Sequence, residues 1–308
     1  MDHILKPSSD ASTFGDFVQP FQIEDLNIRG RLVRMSQAYN DAVKAHDYPK
    51  PLAELIGETM ILAAVLASAL KYEGVFTLQV QGDGPVSLIM ADITSDGAMR
   101  AYAKMKSGVS GADIAGSSIP HVIGAGYMAF TVDQGPDTER YQGITELTGA
   151  TLAECAQNYF RQSEQLETAF TITASLAASG EIAKAAGLMV QRLPSAGDGE
   201  QEDEDWRRAV VLMSSITPSE LLADTLSASQ ILYRLYHEDG IRLFDQRLLR
   251  NECRCSEDRV SRTLMSFPRA EINEMAEEGL ITVTCEFCRT DYVYNEQRLD
   301  ALYASVTE

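Results

Sequence analysis

Between residues 17 and 35, FVQPFQIEDLNIRGRLVRM puts apolar side chains at alternating positions, the period of a half-buried strand, and predicts two strands. The period then lengthens. LAELIGETMILAAVLASALKY, 52–72, repeats its apolar residues at helical spacing around nearly the whole circumference, as a helix enclosed by core does. VFTLQVQG, GPVSLIMADI and GAMRAYAKM return to strand character, and Gly82-Asp83-Gly84-Pro85 reads as the turn of a hairpin. GYMAFTVD and FTITASLA predict strands flanking a helix over 151–165, and GLMVQRLP closes the region. The expected fold class is α+β, with a mixed sheet-and-helix domain over 1–196.

The pattern lapses at 195–205. SAGDGEQEDED carries six acidic residues, two glycines and no large apolar side chain, the composition of a solvated flexible linker. Helical character resumes over 206–240 with two start signals. Thr217, Pro218 and Glu220 fit an N-cap, a first-turn proline and a capping box, and Ser227 with Gln230 repeats the box. Gly240 supplies a stop. Leu221, Leu222, Leu226, Ile231, Leu232 and Leu235 give these short helices an apolar face that must pack on something larger, and the first domain is the expected partner. Residues 197–250 are therefore read as an acidic linker plus an amphipathic helical linker region.

The last unit, 251–308, runs from NECRCSED through helical EDRVSRTLMSF and PRAEINEMAEEG, ended by Gly279, to strand-like LITVTCEFC and YVYN. No internal repeat appears in the chain.

Cysteine placement changes the picture most. Cys253 and Cys255 form a C-x-C pair, Cys285 and Cys288 a C-x-x-C pair, and 30 residues separate them, room for two helices to bring the pairs together. Four thiolates at such spacing suit a tetrahedral zinc ion with Zn–S near ~2.3 Å. The site alone leaves open whether the ion is a permanent staple or part of a redox device, since zinc keeps all four sulfurs as thiolates, the form that reacts with peroxide. Cys155, alone in helical TLAECAQNYF, is read as a buried inert thiol.

Charge removes several function classes. The 308 residues carry 45 acidic against 26 basic side chains, a net charge of −19 that repels nucleic acid and anionic membrane. Residues 251–308 hold six arginines, no lysine and twelve acidic residues, which speaks against a zinc ribbon that grips phosphates. The start MDHILKPSSDASTFGDF lacks the charge and apolar run of a secretory signal, and the longest apolar run, 59–70, is 12 residues, so a cytoplasmic protein without membrane spans is expected. A thioredoxin-like oxidoreductase would open a helix with C-x-x-C, whereas CEFC follows a strand. His3, His46, His121 and His237 have neither metal nor triad spacing, and Gly124-Ala125-Gly126 lacks the third glycine of a nucleotide fingerprint. No catalytic residues are expected.

Beyond the cysteines, RGRLVRM, YPKPLAELIGE, TLQVQGDGPVSLIMAD, YFRQSEQLETAF, GLMVQRLP, LYRLYHEDGIRLF, ECRCSEDRV and VTCEFC resemble, in order, segments of the heat-shock protein 33 family of redox-regulated holdase chaperones. The resemblance spans roughly residues 17–300 and does not extend to the acidic stretch 198–205. It implies an ATP-independent chaperone that is inactive while reduced and bound to one zinc ion through Cys253, Cys255, Cys285 and Cys288. It further implies disulfides Cys253–Cys255 and Cys285–Cys288 under oxidative stress, zinc loss, unfolding of the C-terminal unit and loosening of the linker helices. Unfolding client proteins are the implied partners, with a homodimer when oxidised.

Overall fold

The structure, a computed structural model, describes residues 14–304 apart from 117, 136–137, 177–181 and 195–198. It divides into two compact units, Met1–Asn251 and Glu252–Glu308.

In the first unit the strands are β1 (Phe17–Ile23), β2 (Ile28–Met35), β3 (Val75–Gly82), β4 (Val86–Thr94), β5 (Ala98–Met105), β6 (Gly126–Asp133), β7 (Tyr141–Glu146), β8 (Thr168–Ser175), β9 (Lys184–Arg192), β10 (Ile241–Leu243), β11 (Arg247–Leu248) and β12 (Arg250–Asn251). Its helices are α1 (Gln37–Lys44), α2 (Lys50–Ala69), α3 (Gly111–Ile114), α4 (Ile119–Val122), α5 (Leu152–Tyr159), α6 (Gly199–Ser214), α7 (Pro218–Leu221) and α8 (Ala228–Tyr236). One sheet runs β10-β1-β2-β9-β8, with β11 also on β1; the other runs β12-β5-β4-β3-β6-β7. The fold is α+β, and the Gly82–Pro85 hairpin joins antiparallel β3 and β4 as the sequence predicts.

Helix α2 packs against strands of both sheets. It is long and apolar enough to cross a membrane by length and composition, yet 14 of its 20 residues are buried in this core. Alternation divides the first sheet between two cores. Val18, Val33, Met35 and Met189 face α2, while Phe17, Phe21, Ile23, Ile28, Leu32, Leu188 and Val190 face the other way.

That second face is covered by α6 and α8, whose Ala209, Met213, Ile231, Leu232 and Tyr236 are buried against it. Phe21 lies over Gly30, where a Cβ would come within 2.0 Å of the ring, and stacks on Tyr236 at 6.0 Å. The Tyr236 hydroxyl donates to Ala209 O at 3.2 Å, tying α8 to α6. Each large apolar side chain sealed here contributes about 1.5–3 kcal/mol, so a short helix such as α8 owes its stability to this face. Both expected capping boxes form, at Thr217/Glu220 and Ser227/Gln230.

The reading of the acidic stretch as a flexible linker is overturned. Residues 199–205 are the first two turns of α6 rather than a flexible linker; positions 195–198 of the acidic stretch lie outside the described residues. The acids belong there for electrostatic reasons. Glu200 and Glu202 sit in the first turn, where the helix dipole favours negative charge, and Arg192 pairs with Glu202 at 3.0 Å and Asp203 at 2.6 Å. The helix predicted over 151–165 is also broken, since α5 gives way to a π-turn at Phe160–Glu164 that ends at left-handed Gln165. Strands β7, β10, β11 and β12 and helix α1 carry too little periodicity to be foreseen.

Candidate metal centre

The second unit contains α9 (Glu257–Met265), α10 (Arg269–Glu274), the hairpin of β13 (Leu280–Thr284) and β14 (Asp291–Asn295), and α11 (Glu296–Ala304). Gly279 does not end α10, contrary to expectation. The helix stops at Glu274, and Gly279, at φ +77°, follows Glu278, at φ +50°, in the tight turn that feeds β13. Leu264, Ile272, Ile281, Tyr294 and Leu299 are its buried core. The Tyr294 hydroxyl lies 3.0 Å from Ser261 Oγ and the Tyr303 hydroxyl donates to Leu264 O at 2.6 Å, binding hairpin and α11 to α9.

Two local motifs present the thiols. Cys253 and Cys255 immediately precede Ser256, which caps α9 by accepting from Arg259 N. Cys285 follows β13 directly and starts a tight turn that returns the chain to β14. Its N–H donates to Thr290 O at 2.9 Å, and left-handed Arg289 donates from its N–H to Cys285 O at 2.9 Å. This turn lifts Cys285 and Cys288 toward the segment before α9.

The four sulfurs all lie within 4.8 Å of one another, and among the described residues no other set of three or more His, Cys, Asp or Glu side chains is so gathered. Cys253 and Cys285 Sγ are 3.7 Å apart, Cys255 and Cys288 Sγ 3.3 Å. Four sulfurs ~2.3 Å from a central zinc stand roughly 3.8 Å apart along a tetrahedron's edges, so the donor set fits a metal of that size and softness. Each cysteine is half-buried, enclosed enough to hold an ion and open enough to meet a small oxidant.

The surroundings favour thiolate at one position first. Burial pushes Cys288 up, but hydrogen bonding to the Thr290 side chain and backbone, and to Cys255 and Cys253, outweighs it and brings the thiol down to about 6. Burial raises Cys285 and takes Cys255 up to about 12, with the neighbouring sulfurs adding to the rise in both. Crowded thiols that share one charge behave this way; a cation at the centre would let all four ionise. Tyr292, whose hydroxyl donates to Cys255 Sγ at 3.2 Å, and Thr290, 3.2 Å from Cys288 Sγ, support the sulfurs. Neither was singled out from sequence, although each lies within a few residues of the C-x-x-C pair.

The remaining candidates fall where simple packing would put them. Cys155 is fully buried and its thiol is pushed up to about 11 by burial. Cys155→Ser should leave metal stoichiometry unchanged and lower stability by about 1 kcal/mol; loss of metal in that variant, measured by atomic absorption, would show that the four-sulfur set is incomplete. His46 stacks on Tyr48, His121 Nε2 lies 3.2 Å from Asp113 O and His237 Nδ1 lies 3.0 Å from Tyr233 O. His3 lies outside the described residues. Gly124 to Gly126 form a turn in which Ala125 N donates to Asp83 Oδ1 at 2.8 Å.

Fold and site together define an α+β protein with a small C-terminal unit built around four thiols able to hold a metal ion. The sequence profile of the Hsp33 protein family matches residues 16–295, and the chain belongs to that family. It is similar to the 33 kDa chaperonin of Caulobacter vibrioides, 41% identical over 92% of this chain and 96% of that one, and to the 33 kDa chaperonin of Ectopseudomonas mendocina, 36% identical over 94% and 95%. A solved structure of the 33 kDa chaperonin from Thermotoga maritima, a heat shock protein 33 homolog, shares the fold, with a TM-score of 0.80 at 23% identity over 95% of this chain and 99% of that one.

Proposed function

We propose that this protein is an ATP-independent, redox-regulated holdase that binds unfolding proteins in the cytoplasm and keeps them from aggregating under oxidative stress. The observation that carries the reading is the cluster of four half-buried sulfurs in a unit with so few buried side chains. Three parts share the work: the core domain 1–196, the linker region 197–250 and the redox-switch domain 251–308. In the resting state Cys253, Cys255, Cys285 and Cys288 hold one zinc ion, which supplies the positive charge that keeps all four as thiolates and joins the two motifs.

The switch is thiol chemistry. Cys253 with Cys255, and Cys285 with Cys288, each give two electrons to an oxidant such as hydrogen peroxide. In each pair an S–S bond forms and the O–O bond breaks, and the two oxygens take up two protons from solvent to leave as two waters. Sulfurs tied up in disulfides no longer offer thiolate lone pairs to the ion. The small unit then loses its main source of stability. Loosening of the linker helices uncovers the apolar face that holds Phe17, Phe21, Ile28 and Leu32, a surface suited to unfolded clients. The oxidised protein pairs into a homodimer.

The test is light scattering from a thermally unfolding enzyme, with the reduced metal-loaded protein beside a peroxide-treated sample. Suppression that appears only after oxidation and metal loss is expected. Fully oxidised, metal-free protein that leaves aggregation as fast as in buffer overturns the reading.

A further inference from the structure

Several arginines in this acidic chain have carboxylates at hand: Arg100 pairs with Asp92, Arg208 with Glu238 and Asp239, Arg250 with Asp96. Arg29, Arg31 and Arg247 sit together on one face without such a pair. Arg29 and Arg31 alternate along β2, so both point to one side of the sheet. Arg247 on β11 lies opposite Val18, which in turn lies opposite Val33, so it points to that side as well. Together they line a cavity of about 540 Å³ floored by Pro20 and Gln22. Among the described residues none of the three has a carboxylate partner, although Asp245 lines the same cavity.

Their hydrogen bonds are poor in negative charge. Arg29 donates from Nε at 2.8 Å and from Nη2 to the neutral amide oxygen of Gln191. Arg31 donates to Gly30 O at 2.8 Å and to Ser68 O at 3.5 Å, while its Nε is buried with no partner. The bond to Ser68 O shows Arg31 helping to cap the end of α2, whose last turn has no basic residue. Capping does not account for Arg29 or Arg247. Burial, and then the repulsion of Arg29 and Arg247, lower Arg31 to about 10. Assembling like charges around a hollow is unfavourable unless an anion occupies it.

We propose that Arg29, Arg31 and Arg247 form a binding site for a multiply charged oxyanion of the phosphate class. Guanidinium forks match phosphate oxygens two at a time, and three forks suit an ion with several oxygens and two or more charges better than a single carboxylate. Such an ion would also bridge β2 to β11, a strand held to β1 by only two residue pairs, Phe17 with Leu248 and Val18 with Arg247. Binding would pin the segment that follows the linker helices onto the sheet.

The experiment is calorimetric titration of inorganic phosphate and of pyrophosphate into the reduced full-length protein, with metal content checked before and after and sodium chloride matched for ionic strength as control. Saturable one-to-one binding is expected, tighter for pyrophosphate and at least tenfold weaker in the Arg29→Gln/Arg247→Gln double variant. In wild type, pyrophosphate should slow amide exchange at Arg247 and Leu248, a reading that does not depend on the variant folding. Heat reproduced by sodium chloride, undiminished binding by a folded double variant, or unchanged exchange at those amides overturns the site.

Discussion

If Cys253, Cys255, Cys285 and Cys288 hold zinc as proposed, stripping the metal or replacing Cys285 by serine will melt the second unit and leave the two-sheet unit folded. The second unit has 57 residues and, among the described ones, five buried apolar side chains in its core, Leu264, Ile272, Ile281, Tyr294 and Leu299. A core of that size is too small to hold so short a unit together by burial alone. A structural zinc site adds about 10–16 kcal/mol of binding free energy near neutral pH, and that energy is folding energy. Amides of β13 and β14, paired from Leu280↔Asn295 to Thr284↔Asp291, should lose exchange protection when a chelator is added, while those of α2 keep theirs. Cys285→Ser should show the same without chelator. Acid should act in the same direction, because the ion must displace thiol protons, and burial raises both Cys255 and Cys285. The metal-loaded unit is therefore most stable at neutral and higher pH and weakens as pH falls. A chelated protein that retained the hairpin's protection would make the metal incidental to the fold.

How far the sequence could be read followed how local each signal was. The gathering of four sulfurs was legible because C-x-C and C-x-x-C place them through short turns, and the linker helices were legible because Thr217 and Ser227 bond to residues three positions on. Helix α1 escaped notice because its N-terminus is served from 20 residues away, with Asp16 Oδ1 accepting from Ser36 N at 2.8 Å and Ala38 N at 2.9 Å. Helix α11 did carry a local signal, Asn295, which accepts from Arg298 N at 2.9 Å, but the residue reads equally well as the end of a strand. The acidic segment misled in a different way. Its charges are solvated and sparse in apolar contacts, as in a linker, yet Arg192 and the packing of Trp206 hold it in α6. Neither partner lies in the acidic run itself. The role of Arg34 was invisible because an arginine within strand-like RGRLVRM says nothing about burial.

Replacing Arg34 by alanine will loosen the helical cover of the first sheet without any oxidation. Arg34 lies on β2 opposite Phe17 and is 1% exposed, under the segment that joins α7 to α8. Its Nη1 donates to Leu226 O at 2.6 Å and its Nη2 to Leu221 O at 2.9 Å, with the guanidinium 4.7 Å above the Phe14 ring. Burial lowers it only to about 10, with Asp224 opposing the fall, so it stays charged at neutral pH. Hydrogen bonds from a charged donor each contribute about 1.5–3 kcal/mol, and here both fasten one short stretch of linker to the sheet. Without them the two carbonyls are left unsatisfied under protein, or the stretch lifts into water to satisfy them, and α8 is too short to stand alone. Arg34→Ala should cost about 3 kcal/mol, raise exchange of the α8 amides and increase binding of an apolar dye in the reduced, metal-loaded state. Arg34→Lys should fall between, since an ammonium is a point charge without the planar fork that reaches two carbonyls. If the proposed function holds, reduced Arg34→Ala should also hold clients that the reduced parent protein ignores. Unchanged α8 exchange in a folded variant would show that the apolar contacts of Ile231, Leu232 and Tyr236 suffice to keep the cover in place. Raised exchange without client binding would instead separate the latch, which would stand, from the surface beneath it, which would then not be the one that clients use.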